Sequence, residues 1–332
     1  MIKARRWIPF AVGLVAVLSA CTTQVAGSPT PVPNPTPMTT EKPEPTAENL
    51  LGDLPSLDPC GHLKAADLTR FGTANPAPPD SLDYCLFFLT TPSGTKLEVL
   101  VGTLDRLESE NELRAEYKDY RDLRIAEEPD DSGRCARRVV FPELVTLSVT
   151  VDNFTTDKAT STEMCGIADH AVRAVADRAL SKDAVHRTLP VQSLGRIDPC
   201  TSVSATTAAQ VPGLTTAKVK SYPAAHQCRW SKDGTGNPPR MRVTYSVGTP
   251  SAADGRNTTV EDIGGRPTAI TKSSASSLVL CAAETPHIPF DGGAGLRELA
   301  LVSVSLPSGG QVDEACAAAK AVATEVWSRL PK

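Results

Sequence analysis

Nine cysteines and five histidines are the residues of this chain best equipped for chemistry. A cysteine acts as a nucleophile or metal ligand only as a free thiolate. The cysteines stand at Cys21, Cys60, Cys85, Cys135, Cys165, Cys200, Cys228, Cys281 and Cys316. Apart from Cys21 they form two quartets, related in order by offsets of 140, 143, 146 and 151 residues. Even quartets in an exported chain read as two disulfides per unit, which leaves no thiol for catalysis. The rival chemistry is metal ligation. His62 lies two residues after Cys60, and His226 two before Cys228. There is no Cys-x-x-Cys pair, however, and zinc ligands cluster at short spacing. No metal and no cofactor is expected.

Other catalytic patterns are missing. The chain has no Gly-x-Ser-x-Gly elbow and no His-Glu-x-x-His. His170 falls within an expected helix and reads as a face residue. Gly234-Thr235-Gly236 and Gly292-Gly293-Ala294-Gly295 fall between expected strands, whereas a phosphate cradle needs a strand before and a helix after. They read as turns. Glu127-Glu128 and Asp130-Asp131 make an acidic loop without the alternating spacing of a calcium site. The enzyme alternative is therefore a site assembled from scattered residues, such as His226 with Asp233.

The elements around these residues repeat. Leu57-Asp58-Pro59-Cys60 returns as Ile197-Asp198-Pro199-Cys200, and residues 143–149 resemble residues 298–304. An Ala-rich run follows both Cys165 and Cys316. Self-similarity at a fixed offset marks duplication. The first unit spans 57–183, a connector 184–196, and the second unit 197–332. Pattern and turn signals predict, in the first unit, a short helix at 62–71 capped by Gly72. Strands follow at 84–89 and 96–103. A charged helix is expected at 108–123, with Leu113, Tyr117 and Tyr120 at helical spacing, then strands at 136–141 and 144–151 and a helix at 162–180. The second unit repeats the plan, with helices at 204–211 and 313–329 and strands at 228–232, 240–247, 267–272, 277–283 and 299–306. The charged helix is replaced there by a polar, Gly-containing stretch at 249–265. The expected class is α+β: two tandem homologous domains, each an antiparallel sheet with packed helices and two disulfides. Four cysteines allow three pairings, and sequence alone does not choose. The favoured set is Cys60–Cys85, Cys135–Cys165, Cys200–Cys228 and Cys281–Cys316, each tying a helix to a strand.

The N-terminus reads as an export signal at 1–20. Lys3, Arg5 and Arg6 precede an apolar run at 7–18, too short for a comfortable membrane span. Leu18-Ser19-Ala20-Cys21 resembles the lipobox of bacterial lipoproteins, which implies cleavage before Cys21 and acylation of its thiol. Two or more acyl chains give stable membrane attachment. Residues 21–56 then form a lipid-bearing, Pro/Thr-rich tether that favours polyproline II, with a reach on the order of 100 Å. Loss of the three basic signal residues takes the formal charge from −4 to −7. That balance argues against a nucleic-acid partner.

The Asp-Pro-Cys openings, the strand Cys228-Arg229-Trp230 and the cysteine-led terminal helices resemble an actinobacterial, mycobacterial-type family of cell-envelope lipoproteins with domains of uncharacterised function. The layout is similar to disulfide-stapled extracytoplasmic sensor domains of mycobacterial receptor kinases. In the first copy Cys85-Leu86-Phe87 stands in place of the Trp-containing strand. The resemblance implies an envelope setting and brings no catalytic residues. The expectation is a protein held to the cell membrane through Cys21, facing the extracytoplasmic side. It would bind an unidentified envelope ligand or partner protein rather than catalyse a reaction.

Overall fold

Strict alternation builds the sheets. In the strand Tyr84–Thr90, Cys85, Phe87 and Leu89 are buried while their neighbours face outward, the period-2 pattern of a half-buried strand. The computed structural model describes residues 45–129, 133–154, 159–275 and 277–332, which belong to one compact body. It holds two similar halves.

The first half contains β1 (Thr73–Pro76), β2 (Tyr84–Thr90), β3 (Lys96–Arg106), β4 (Glu116–Tyr120), β5 (Leu123–Glu127), β6 (Arg134–Val140) and β7 (Val145–Asn153). They form one antiparallel sheet in the order β1-β2-β3-β7-β6-β5-β4. The second half contains β8 (Lys218–Ser221), β9 (Gln227–Ser231), β10 (Arg240–Gly248), β11 (Thr258–Ile263), β12 (Arg266–Ser274), β13 (Leu278–Pro289) and β14 (Arg297–Pro307). Their order, β11-β12-β13-β14-β10-β9-β8, is the same path strand for strand. Helices are few: α1 (Ala47–Leu51), α2 (Ala65–Leu68), α3 (Ser161–Leu180), α4 (Ala205–Ala209) and α5 (Val312–Arg329). The protein is thus mostly β, with α+β holding in outline.

Each sheet buries one face under its last helix. Along α3, Met164, Ile167, Ala168, Ala171, Val172, Val175 and Ala179 are buried, a stripe at helical period that packs on β6 and β7. Along α5, Ala315, Ala319, Val322, Ala323 and Val326 do the same against β13 and β14. Disulfides join Cys60 to Cys85, Cys135 to Cys165, Cys200 to Cys228 and Cys281 to Cys316. In each half the first bridge ties the Asp-Pro-Cys turn to a strand, and the second ties a strand to the last helix. The turn is fixed by its aspartate, since the carboxylates of Asp58 and Asp198 accept from the amides of Cys60 and Cys200 at 3.1 and 2.8 Å.

Several elements differ from expectation. Residues 108–123 are not a helix. They hold a short 3-10 turn at Glu110–Glu112 and then β4, which turns at Arg121 and Asp122 into β5. The spacing of Leu113, Tyr117 and Tyr120 mimicked a helix, but pairing with β5 prevails on this sheet edge. The polar stretch 249–265 holds the corresponding edge strand β11. The expected helix at 62–71 shrinks to α2 and one 3-10 turn. Residues 45–56, read as the end of the tether, are packed: Ala47, Leu51 and Leu54 are buried in the first core. The ladders also correct the repeat alignment. Val151 faces Cys135 and Val304 faces Cys281, so Glu298 corresponds to Val145 rather than Glu143. A slip of two residues keeps the same face, which is why the sequence match looked sound. No helix among the described residues is long and apolar enough to cross a membrane.

Candidate functional site

The halves meet along a seam built from equivalent pieces of each sheet. In β3 the register shifts between Gly102 and Leu104. Gly102 has φ 135°, and a Cβ there would lie 2.3 Å from the carbonyl oxygen of Asp83. This bulge lets the Thr103 amide donate to that carbonyl at 2.6 Å, which fixes Asp83 at the mouth of β2. Asp83 Oδ1 lies 2.7 Å from His226 Nδ1, and Gln227 Nε2 donates to Oδ2. Both the Asp83 and His226 side chains are almost wholly buried, at 4% and 2% exposed. Next to them, Leu82 packs in the core of the second half and Ala224 in the core of the first.

The connector closes one side. The Arg187 amide donates to Ser56 O, and the Asp58 amide to Val185 O. Arg187 spreads its guanidinium between Leu82 O, at 2.9 Å, and Asp58 Oδ1, at 3.1 Å, while lying 5.9 Å over the Phe290 ring. Further along, Ser193 Oγ and the Leu194 amide donate to the two oxygens of buried Glu298, each at 2.6 Å. The first half has apolar Val145 at that place, so this anchor for the connector belongs to the second half alone.

Between connector and halves lies a cleft of about 520 Å³. Its lining includes Asp58 and Pro79 from the first half, Arg187 and Leu189 from the connector, and Phe290 and Glu298 from the second half. Apolar walls with a few fixed charged groups suit a small amphipathic molecule, and the volume falls in the usual ligand range of roughly 300–1,000 Å³.

The remaining expected residues sit as follows. Asp233 is bound to Thr235 in the β9–β10 turn, and no hydrogen bond or ion pair joins it to His226 among the described residues. His226 Nε2 is buried without a partner among the described residues and faces Gly195. A histidine held by a carboxylate is part of a nucleophile-activating triad, but no hydroxyl or thiol bonds to that nitrogen among the described residues. His170 contacts Asp67 O at 3.0 Å, His186 meets Ser56 Oγ at 3.1 Å, and His287 meets Gln192 O at 2.8 Å. His62 is fully buried with both ring nitrogens unpartnered among the described residues, and burial pushes its pKa down to about 4. Glu127 and Glu128 pair with Lys118 and Arg138. Asp130, Asp131 and Cys21 lie outside the described residues. No group of three or more His, Cys, Asp or Glu is placed to hold a metal among the described residues. Both glycine loops join strand to strand.

Sequence reasoning missed Asp83, Arg187, Phe290 and Glu298. Only Asp83 carried a signal: it stands two residues before Cys85, as His226 does before Cys228.

No curated protein and no solved structure matches the chain. Residues 16–178 match the family model described as a protein of unknown function (DUF3558), so a DUF3558 domain spans that stretch.

Proposed function

We propose that this chain is a lipid-anchored binding protein of an actinobacterial-type cell envelope, whose ligand, a small amphipathic molecule, occupies the cleft between two halves descended from one duplicated unit. The observation that carries the reading is the cleft itself. It is about 520 Å³, is walled by both halves, and is lined by Arg187 and Glu298, whose side chains are fixed by buried or partly buried hydrogen bonds. Rigid walls reduce the ordering cost of binding. The anchor rests on Leu18-Ser19-Ala20-Cys21, and the common descent on the cysteine offsets and shared strand order. The reading assigns no catalysis.

Native mass spectrometry of protein extracted from host membranes in mild detergent tests it. The expected spectrum shows the acylated chain with an additional bound mass. Thr188→Trp, a change at an exposed cleft position, is expected to remove that mass, and Cys21→Ser to move the protein into the soluble fraction. Absence of bound mass, or its survival in Thr188→Trp, refutes the cleft reading. A membrane-bound Cys21→Ser protein refutes the anchor.

A further inference from the structure

The outer face of the second sheet gathers cations that the sequence spreads over three strands. Pairing of β8, β9 and β10 sets Lys220 opposite Arg229 and Arg229 opposite Arg242. In the next row Lys218 and Arg240 flank Ser231. Cys228, Trp230, Met241 and Val243 point into the core, so alternation leaves the cations together on the other face. Like charges directly opposite one another in a sheet repel.

Some of this charge is answered. Lys220 pairs with Asp105 at 2.8 Å and Glu112 at 3.3 Å. Asp233 sits near Lys218 on the adjoining turn, with its carboxyl held below the usual range chiefly by the Thr235 hydroxyl and amide. Arg229, Arg240 and Arg242 have no ion pair among the described residues. On the far side, Ser303 and Ser305 of β14 and Ala282 and Leu280 of β13 add no charge.

Two of the guanidiniums are also held in place. Arg229 donates to Gly234 O at 2.9 Å and to the Tyr222 hydroxyl at 3.3 Å, and Arg240 donates to Gly236 O at 2.8 Å. Gly236 has φ +86°, and a Cβ there would lie 2.7 Å from Arg229 Nη1, so the turn closes directly onto that side chain. Arg229 Nε is a buried donor without an acceptor among the described residues. Burial, then the charges of Arg242 and Arg229, hold Arg240 below the ordinary arginine value.

We infer that the Arg229–Arg240–Arg242 face of the second sheet binds a phosphate-type oxyanion, carried by a soluble phosphoester or by a lipid headgroup. Arg229 and Arg242 are cross-strand partners, about 5 Å apart at the backbone, and Arg240 stands two residues from Arg242 on the same face of β10, so the three long side chains lie within reach of a single anion. Guanidinium forks match phosphate oxygens in geometry and charge. A bound phosphoryl group cancels the mutual repulsion of the three arginines. The cluster is compact rather than a stripe, which favours one phosphoryl group over an extended nucleic-acid backbone. This site lies apart from the seam cleft and stands without it.

The test uses the full chain carrying Cys21→Ser, so that an acyl anchor does not mask binding. Calorimetric titration with inorganic phosphate is expected to show saturable binding that weakens as salt rises. Arg240→Gln with Arg242→Gln is expected to weaken it about 10-fold or more, and Arg242→Lys less, because it keeps the charge and loses the fork. Unchanged thermal unfolding of the variants shows that the sheet is intact. Flotation with vesicles of phosphatidylglycerol, against pure phosphatidylcholine, identifies the carrier. Retention on the anionic vesicles that the double variant loses assigns a lipid headgroup. Phosphate binding without flotation assigns a soluble phosphoester. Failure to bind either probe, or equal binding by the double variant, overturns the proposal.

Discussion

Asp83 and His226 occupy equivalent positions, each two residues before the second cysteine of its half, and they meet across the seam at 2.7 Å. The exchange of Leu82 and Ala224 between the two cores sits beside them. Equivalent residues touching is the signature of a two-fold contact, in which one patch pairs with its own copy. Within a single chain two similar halves need not carry the same residue at matching positions. Two aspartates facing each other in a buried seam would repel, whereas a histidine opposite an aspartate makes a bond.

Breaking that bond should loosen the seam. Asp83→Asn is expected to lower stability by about 2 kcal/mol, the scale for a buried hydrogen bond to a charged group. Asp83→Leu with His226→Leu should cost less than the sum of the single changes, with a coupling of about 1–3 kcal/mol. Urea unfolding of the four proteins measures this. Strict additivity would show that the two residues do not act as a pair.

His62 makes stability depend on pH. Its folded pKa of about 4 lies below the ordinary 6.5. Between these values the unfolded chain binds more protons than the folded one, so this contribution rises with pH from about 4 and levels off above 6.5. The full swing is on the order of 3 kcal/mol. His62→Leu should flatten this part of the profile. An unchanged slope in the variant would mean that other groups set it.

The bridges to the last helices close loops with sequence separations of 30 and 35 residues. Replacing Cys135 and Cys165 together by Ala, or Cys281 and Cys316 together, is expected to cost about 3–4 kcal/mol on loop-entropy grounds. Comparing the unfolding midpoints of the two double variants with that of the parent checks both figures. A loss below about 1 kcal/mol would show that packing of α3 or α5 suffices alone.

The sequence announced the features that rest on local period. The strand Tyr84–Thr90 alternates cleanly, and α3 carries its apolar stripe from Met164 to Ala179. Edge strands were illegible because they bury little. Tyr117 and Tyr120 in β4 are only partly buried, and Val260 in β11 is 50% exposed. Their residues carry no core pattern, and spacing alone misled. The seam was illegible for another reason. Asp83 and His226 are 143 residues apart, and no local rule relates them. Glu298 stands beside the apolar run from Leu299 to Val302, where only the fold reveals that Ser193 and Leu194 satisfy it.

Hydrogen–deuterium exchange, with and without a small-molecule extract of the host envelope, tests the binding cleft most directly. Added protection is expected at residues 187–189 and 290–292, and it should vanish in Thr188→Trp. Amides at those positions that exchange equally with and without the extract, or protection gained only elsewhere, would contradict a ligand seated between the halves.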